Sequence, residues 1–156
     1  MQKSIHFLIS CASLLWILIS CNQTEKQVPE SALRPGATIA EGQIPVGQIV
    51  NGKPLMDIDE AQFLDQWNQE LKMSGIASNL TTLEIFEYQS QFYLIARGEK
   101  FKSSKLIETD VKGRAFAAGI SCTTSDCSDE IECIPINKFQ CSPCSNGGTC
   151  VKTVTL

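Results

Sequence analysis

The chain has 156 residues, 43% hydrophobic and 19% charged, with a formal net charge of −4. That length suits about one domain, and that balance belongs to a chain able to fold. The excess of acidic side chains, 17 against 13 basic, opposes nucleic-acid binding through a phosphate-neutralising surface and opposes a polybasic membrane patch.

In the first 20 residues Lys3 is the only permanently charged side chain, and residues 5–20 form an uncharged, mostly apolar run. This layout predicts a secretory signal peptide over residues 1–20. An uncleaved signal anchor is the alternative, but a spanning helix needs about 20 apolar residues and the run is marginal. The run ends in Leu18-Ile19-Ser20-Cys21, which resembles the lipobox of bacterial lipoproteins. The resemblance implies a diacylglycerol on the Cys21 sulfur, cleavage just before it, and an acyl chain such as palmitate on the new amine. Each buried CH₂ of such chains contributes about 0.8 kcal/mol, so two or three chains anchor firmly. Leu8-Ile9-Ser10-Cys11 repeats the pattern, but too little apolar chain precedes it for a signal. Asn22 stands where an aspartate would retain an enterobacterial lipoprotein in the inner membrane. The resemblance therefore implies a lipid anchor in the cell envelope, at the outer membrane.

Residues 21–56 hold Pro29, Pro35, Pro45 and Pro54 with Gly36, Gly42, Gly47 and Gly52. Such residues oppose regular structure, and the segment reads as a flexible, lipid-anchored tether. Residues 43–50 alternate in polarity, so an added edge strand is the alternative there. Residues 57–73 predict an amphipathic helix, with Asp57 as cap, Glu60 at the capping-box position and Gly75 as terminator. Ile58, Ala61, Phe63, Leu64, Trp67 and Leu71 form its apolar stripe. Trp67 reads as core rather than as a ligand contact.

Residues 81–88 and 92–97 are rich in β-branched and aromatic residues, separated by Gln89-Ser90-Gln91. Residues 105–111 and 114–120 make a second strand pair about Lys112-Gly113. The expectation for residues 57–120 is a small α+β domain: one amphipathic helix packed on a four-stranded antiparallel meander. The order resembles cystatin-like and other small α+β architectures, a likeness of shape that carries no function.

Residues 121–156 carry Cys122, Cys127, Cys133, Cys141, Cys144 and Cys150 in the pattern C-x4-C-x5-C-x7-C-x2-C-x5-C. Six cysteines in an exported chain predict three disulfides that staple a tail too small for its own core. Sequence alone allows 15 connectivities. A zinc site is the rival, since Cys141-Ser142-Pro143-Cys144 has knuckle spacing. The same four residues resemble the C-x-P-C motif of thioredoxin-like proteins, but the glycines that follow oppose the helix such a centre needs. Residues 144–151 (CSNGGTCV) resemble the middle of an EGF-like module. That resemblance covers about ten residues and implies a tight disulfide-bounded turn. Asp126, Asp129, Glu130 and Glu132 resemble calcium-binding acidic stretches of EGF and LDL-receptor modules. A solvated acidic loop is the default reading for such a run.

The single histidine is His6, within the expected signal peptide. Without it a mature chain lacks Ser-His-Asp and Cys-His catalysis and histidine-ligated metals. Glu84, Glu87, Glu108 and Asp110 lie on expected strands. Of these, Glu108 and Asp110 share a face by period two and are the one carboxylate pair that could be neighbours. The sequence therefore predicts no catalytic residues, no resident metal and no cofactor. It predicts a non-enzymatic envelope lipoprotein that presents a small stapled domain to an envelope protein or glycan. The alternative is an inhibitor or accessory factor of an exported hydrolase, and a zinc-binding cysteine tail is the remote one.

Overall fold

The structure, a computed structural model, describes residues 43–129 and 131–154. The expected signal peptide, Cys21 and the tether as far as residue 42 lie outside those residues, as does Glu130. The described residues all fall in one compact unit.

The elements run β1 (Gln43–Val50), β2 (Lys53–Met56), α1 (Glu60–Met73), β3 (Leu80–Tyr88), β4 (Gln91–Gly98), β5 (Lys102–Thr109) and β6 (Arg114–Thr124). Then follow β7 (Pro135–Asn137), β8 (Gln140–Cys141) and β9 (Val151–Val154). Strand accounts for 51% of the structure and helix for 13%. The fold is therefore mostly β, and the expected α+β unit of one helix on a four-stranded meander is corrected. Seven strands make one antiparallel sheet in the order β2-β1-β6-β5-β4-β3, with β9 also on β6, while β7 and β8 pair separately.

Three local features enlarge the sheet. Asn51 and Gly52 take φ of 51° and 78°, so Val50 pairs with Lys53 across a two-residue turn. Left-handed values at both central positions match the right-handed twist of the flanking strands, and Asn-Gly adopts them cheaply. Residues 43–56, expected as tether, are thus a hairpin on the sheet. Within it the register shifts between Pro45 and Gly47, which turns Val46 into the core at 1% exposure. Gly47 must be glycine, because a Cβ there would stand 1.9 Å from the Leu55 carbonyl oxygen.

The second feature is a bulge in β6. Leu106 pairs with Ala118 but Lys105 pairs with Ser121, so two extra residues sit on β6. Gly119 takes φ 74° there, a conformation that glycine reaches without strain. Before the bulge β6 pairs with β1, and after it with β9. The sheet therefore crosses the expected boundary at residue 120 and draws the cysteine segment into itself. The third is the β3–β4 connection: Gln89 and Ser90 both take positive φ, and Tyr88 pairs with Gln91. That is a two-residue turn, not the three-residue loop expected.

Helix α1 starts at Asp59 rather than Asp57. The Asp59 carboxylate accepts the Gln62 amide at 3.0 Å, satisfying one of the free donors of the first turn. It ends at Met73, and beyond the Ser74 cap the Gly75 and Ile76 amides return to the Lys72 and Leu71 carbonyls, a Schellman closure. Phe63, Leu64, Trp67 and Leu71 are buried. They meet Val46, Leu80, Leu94, Ala96, Ile107, Ala115 and Ala117 in one core.

The opposite sheet face is covered too. Ile134 packs there on Tyr93, Ile95 and Leu106. Two covers explain why β4 buries four consecutive residues, 93–96, rather than alternating with solvent. Where the apolar cover thins, polar groups are buried and paired. Lys102 donates to the Asp129 and Glu132 carbonyls, and Ser104 to the Cys133 carbonyl at 2.9 Å. Lys105 ion-pairs with Glu70 at 3.3 Å and lies 5.1 Å over the Trp67 ring. Burial lowers the Lys105 pKa, with Glu70 opposing the shift.

Candidate functional site

Antiparallel pairing gathers the β1–β2, β3–β4 and β5–β6 turns at one end of the sheet. An open cleft of about 650 Å³ lies there, a size within the ~300–1,000 Å³ range of small-ligand sites. Phe92, Leu106, Ile107 and Phe116 supply apolar lining, and Gln43, Ser90, Gln91, Glu108, Asp110 and Lys138 supply polar groups.

Glu108 and Asp110, the carboxylate pair singled out in the sequence, both line this cleft, but each is committed elsewhere. Glu108 accepts from the Gln43 amide at 3.1 Å and ion-pairs with Lys138 at 3.0 Å. Asp110 lies beyond the end of β5, in the turn. It accepts the Lys112 and Arg114 amides, each at 2.9 Å, and binds the Arg114 guanidinium at 2.6 Å. Partial burial opposes its ionisation, but the bonds from Arg114 and Lys112 outweigh burial and hold its carboxyl below the usual range. A general acid near neutral pH needs the reverse shift. Arg114 also stands 5.4 Å over the Phe116 ring. Glu84, on β3, ion-pairs across to Arg97 at 3.0 Å.

Gln43, Arg114, Phe116 and Lys138 were not singled out in the sequence. Gln43 and Lys138 lie 65 and 30 residues from Glu108, and no local pattern joins them to it. Only Arg114, four residues from Asp110 about a glycine turn, left a readable signal.

The six tail cysteines form three disulfides: Cys122–Cys141, Cys127–Cys144 and Cys133–Cys150. In chain order the first pairs with the fourth, the second with the fifth and the third with the sixth. The bridges interleave, so none can be removed without loosening the other two loops. Cys127, Glu132 and Cys144 cluster with ligand atoms within 4.8 Å. The two sulfurs are bonded to each other, so neither is the thiolate that zinc requires.

The described acids of that stretch, Asp126, Asp129 and Glu132, bond within the fold. Asp126 accepts the Thr149 amide at 2.7 Å and the Ser125 hydroxyl at 2.9 Å. The Thr149 bond, then the Ser125 bond, lower its pKa. Asp129 accepts the Ile131 amide at 3.0 Å, and Glu132 accepts the Ser145 hydroxyl. The Lys102 ammonium donates to the Asp129 and Glu132 carbonyls, which places a positive charge beside that stretch. The turn at 144–150 is tight. Gly147 takes φ 75°, and a Cβ on Gly148 would lie 2.5 Å from the Asp126 Cβ. Its two bounding cysteines, Cys144 and Cys150, belong to different bridges.

No protein-family model, curated protein or solved structure matches the chain. Among the described residues no helix is long and apolar enough to cross a membrane.

Proposed function

We propose that this protein is a non-enzymatic lipoprotein of the cell envelope, anchored at the outer membrane through acylated Cys21. Its disulfide-stapled β domain binds an envelope protein or glycan. The observation that carries the reading is the state of the cleft carboxylates. Glu108 is tied to Lys138 and Gln43, and Asp110 to Arg114 and two amides. Groups fixed in this way offer hydrogen bonds and charge to a ligand without a free acid and base pair, and rigid, prepaired polar groups suit recognition. The sole histidine, His6, belongs to the segment that the lipobox resemblance removes.

Two experiments test the reading. Intact mass of the mature protein should begin at Cys21 with a diacylglycerol-sized adduct, and Cys21→Ser should free it from membranes. Continued membrane association of an unprocessed Cys21→Ser protein would favour a signal anchor. Capture from solubilised membranes should then yield a stable complex with an envelope component, weakened by Glu108→Lys in the cleft. A one-to-one complex that silences an exported hydrolase would instead make the protein its inhibitor.

A further inference from the structure

Two asparagines are followed directly by glycine, Asn51 and Asn146, and both are exposed. Such a pair has its own chemistry. The glycine amide nitrogen, unshielded by a Cβ and on a freely turning backbone, can attack the side-chain carboxamide carbon of the asparagine before it. Which of the two reacts depends on how each turn holds the attacking and the attacked group.

At Asn146 both groups are held. Its carboxamide nitrogen donates to the Asp126 carbonyl and its oxygen accepts the Gly148 amide, each at 2.8 Å. The Gly147 amide, the nucleophile there, donates to the Cys144 carbonyl at 3.2 Å. Cys144 and Cys150, on either side, are bridged to Cys127 and Cys133, which restrains the turn at both ends. At Asn51 the situation is the reverse. Among the described residues no group bonds the Asn51 carboxamide or the Gly52 amide. The strand that follows, β2, has four residues, lies at the edge of the sheet and pairs only with β1. The hairpin end can therefore open without disturbing the core.

We infer that Asn51 is a site of spontaneous modification: the folded, oxidised protein converts it to aspartate and isoaspartate while Asn146 stays intact. The Gly52 nitrogen gives its proton to solvent and bonds to the Asn51 Cγ. The Cγ–Nδ2 bond breaks and ammonia leaves, which closes a succinimide. Water then adds to one ring carbonyl and the C–N bond at that carbonyl breaks. Attack at Cγ gives aspartate, and attack at the main-chain carbon gives isoaspartate. Water is the only co-reactant, and nothing is oxidised or reduced. Either product adds a negative charge, and isoaspartate adds a methylene to the backbone, in a turn whose Gly52 lines the cleft. The modification thus reshapes the cleft rim without an enzyme. It requires neither the lipid anchor nor an envelope partner, so it can fail while the binding reading stands.

The test incubates the full oxidised chain in mildly alkaline buffer made with heavy-oxygen water and maps its peptides by mass over time. The peptide carrying Asn51 should lose ammonia, take up one labelled oxygen and resolve into aspartate and isoaspartate forms. Asn51 should react roughly tenfold or more faster than Asn146, because one turn opens locally and the other only with its bridges. After reduction and thiol alkylation Asn146 should catch up with Asn51. Asn51→Asp, which still tolerates the left-handed turn, should co-elute on anion exchange with the aged fraction of the unsubstituted protein. Equal rates at the two sites in the oxidised protein overturn the proposal. So does an Asn51 that stays intact throughout, or one that reacts only after the bridges are reduced.

Discussion

The two faces of the sheet are secured by different physics. Beneath α1 the cover is apolar burial: Trp67, Leu71 and Leu94 are each at most 1% exposed and pack as one core. Beneath the cysteine segment the apolar clusters are smaller: Tyr93, Ile95, Leu106 and Ile134 with Phe86 and Tyr88 against them, and Ile120 among the bridge cysteines. There three disulfides and the bonds of Lys102 and Ser104 to carbonyls add to that packing. A short segment with few large apolar residues can cover a sheet only if its unfolded freedom is reduced by covalent links. The comparison also changes what reduction does. Cys122 is a residue of β6, so the Cys122–Cys141 bridge ties the segment to the sheet, and opening the bridges should loosen the cover of one face.

The largest expected effect is therefore reduction of the bridges. Loops of 17 to 19 residues contribute on the order of 3 kcal/mol each in the chain-entropy model. Denaturant unfolding with and without reductant should show a loss of several kcal/mol. An unchanged midpoint would mean that the tail face is held without the bridges.

On the other face, Trp67→Ala should cost about 3–5 kcal/mol, the usual range for deleting a large buried aromatic side chain. It removes the edge-to-face contact with Phe63, whose centroid is 5.8 Å away, and the ring beneath Lys105. Because the indole Nε1 has no hydrogen-bond partner, Trp67→Phe should cost markedly less than Trp67→Ala. Equal losses from the two variants would show that the indole is held by something beyond packing.

Smaller is Gly148→Ala, where the new methyl meets Asp126. A loss of about 1–3 kcal/mol is expected, as for other overpacked sites, read by thermal unfolding of the oxidised protein. The smallest effect is acid loosening of the same turn. Hydrogen bonds depress the Asp126 pKa in the folded state, below an unfolded value of about 3.9. Its contribution is complete above the unfolded value and is lost as pH falls through the folded one. A pH series of unfolding midpoints should steepen below about pH 4, and Asp126→Asn should flatten it.

How much of this was legible in the sequence depended on the range of the interaction. The stripe that buries Phe63, Leu64, Trp67 and Leu71 repeats every three or four residues, so α1 was readable apart from its cap. Asn51-Gly52 carried a hairpin signal, but the prolines on either side made residues 43–56 read as tether. Pro45 fits because the bulge at Val46 interrupts the ladder beside it. Gln89-Ser90 gave no warning of a two-residue turn, since neither residue favours positive φ. The joining of β9 to β6 depends on a bulge at Gly119 and on bridges whose pairing spacing does not determine. In the cleft, Glu108 and Asp110 were visible by period two, whereas their partners come from distant strands and turns.

Hydrogen exchange of the oxidised and reduced protein, read peptide by peptide, tests the two-cover account most directly. Reduction should strip protection from residues 120–124 of β6 and from β7, β8 and β9, while α1, β3 and β4 keep most of theirs. If α1 loses protection as fast as the cysteine segment, or if the segment stays protected with its thiols free, the two faces are not held by separate means.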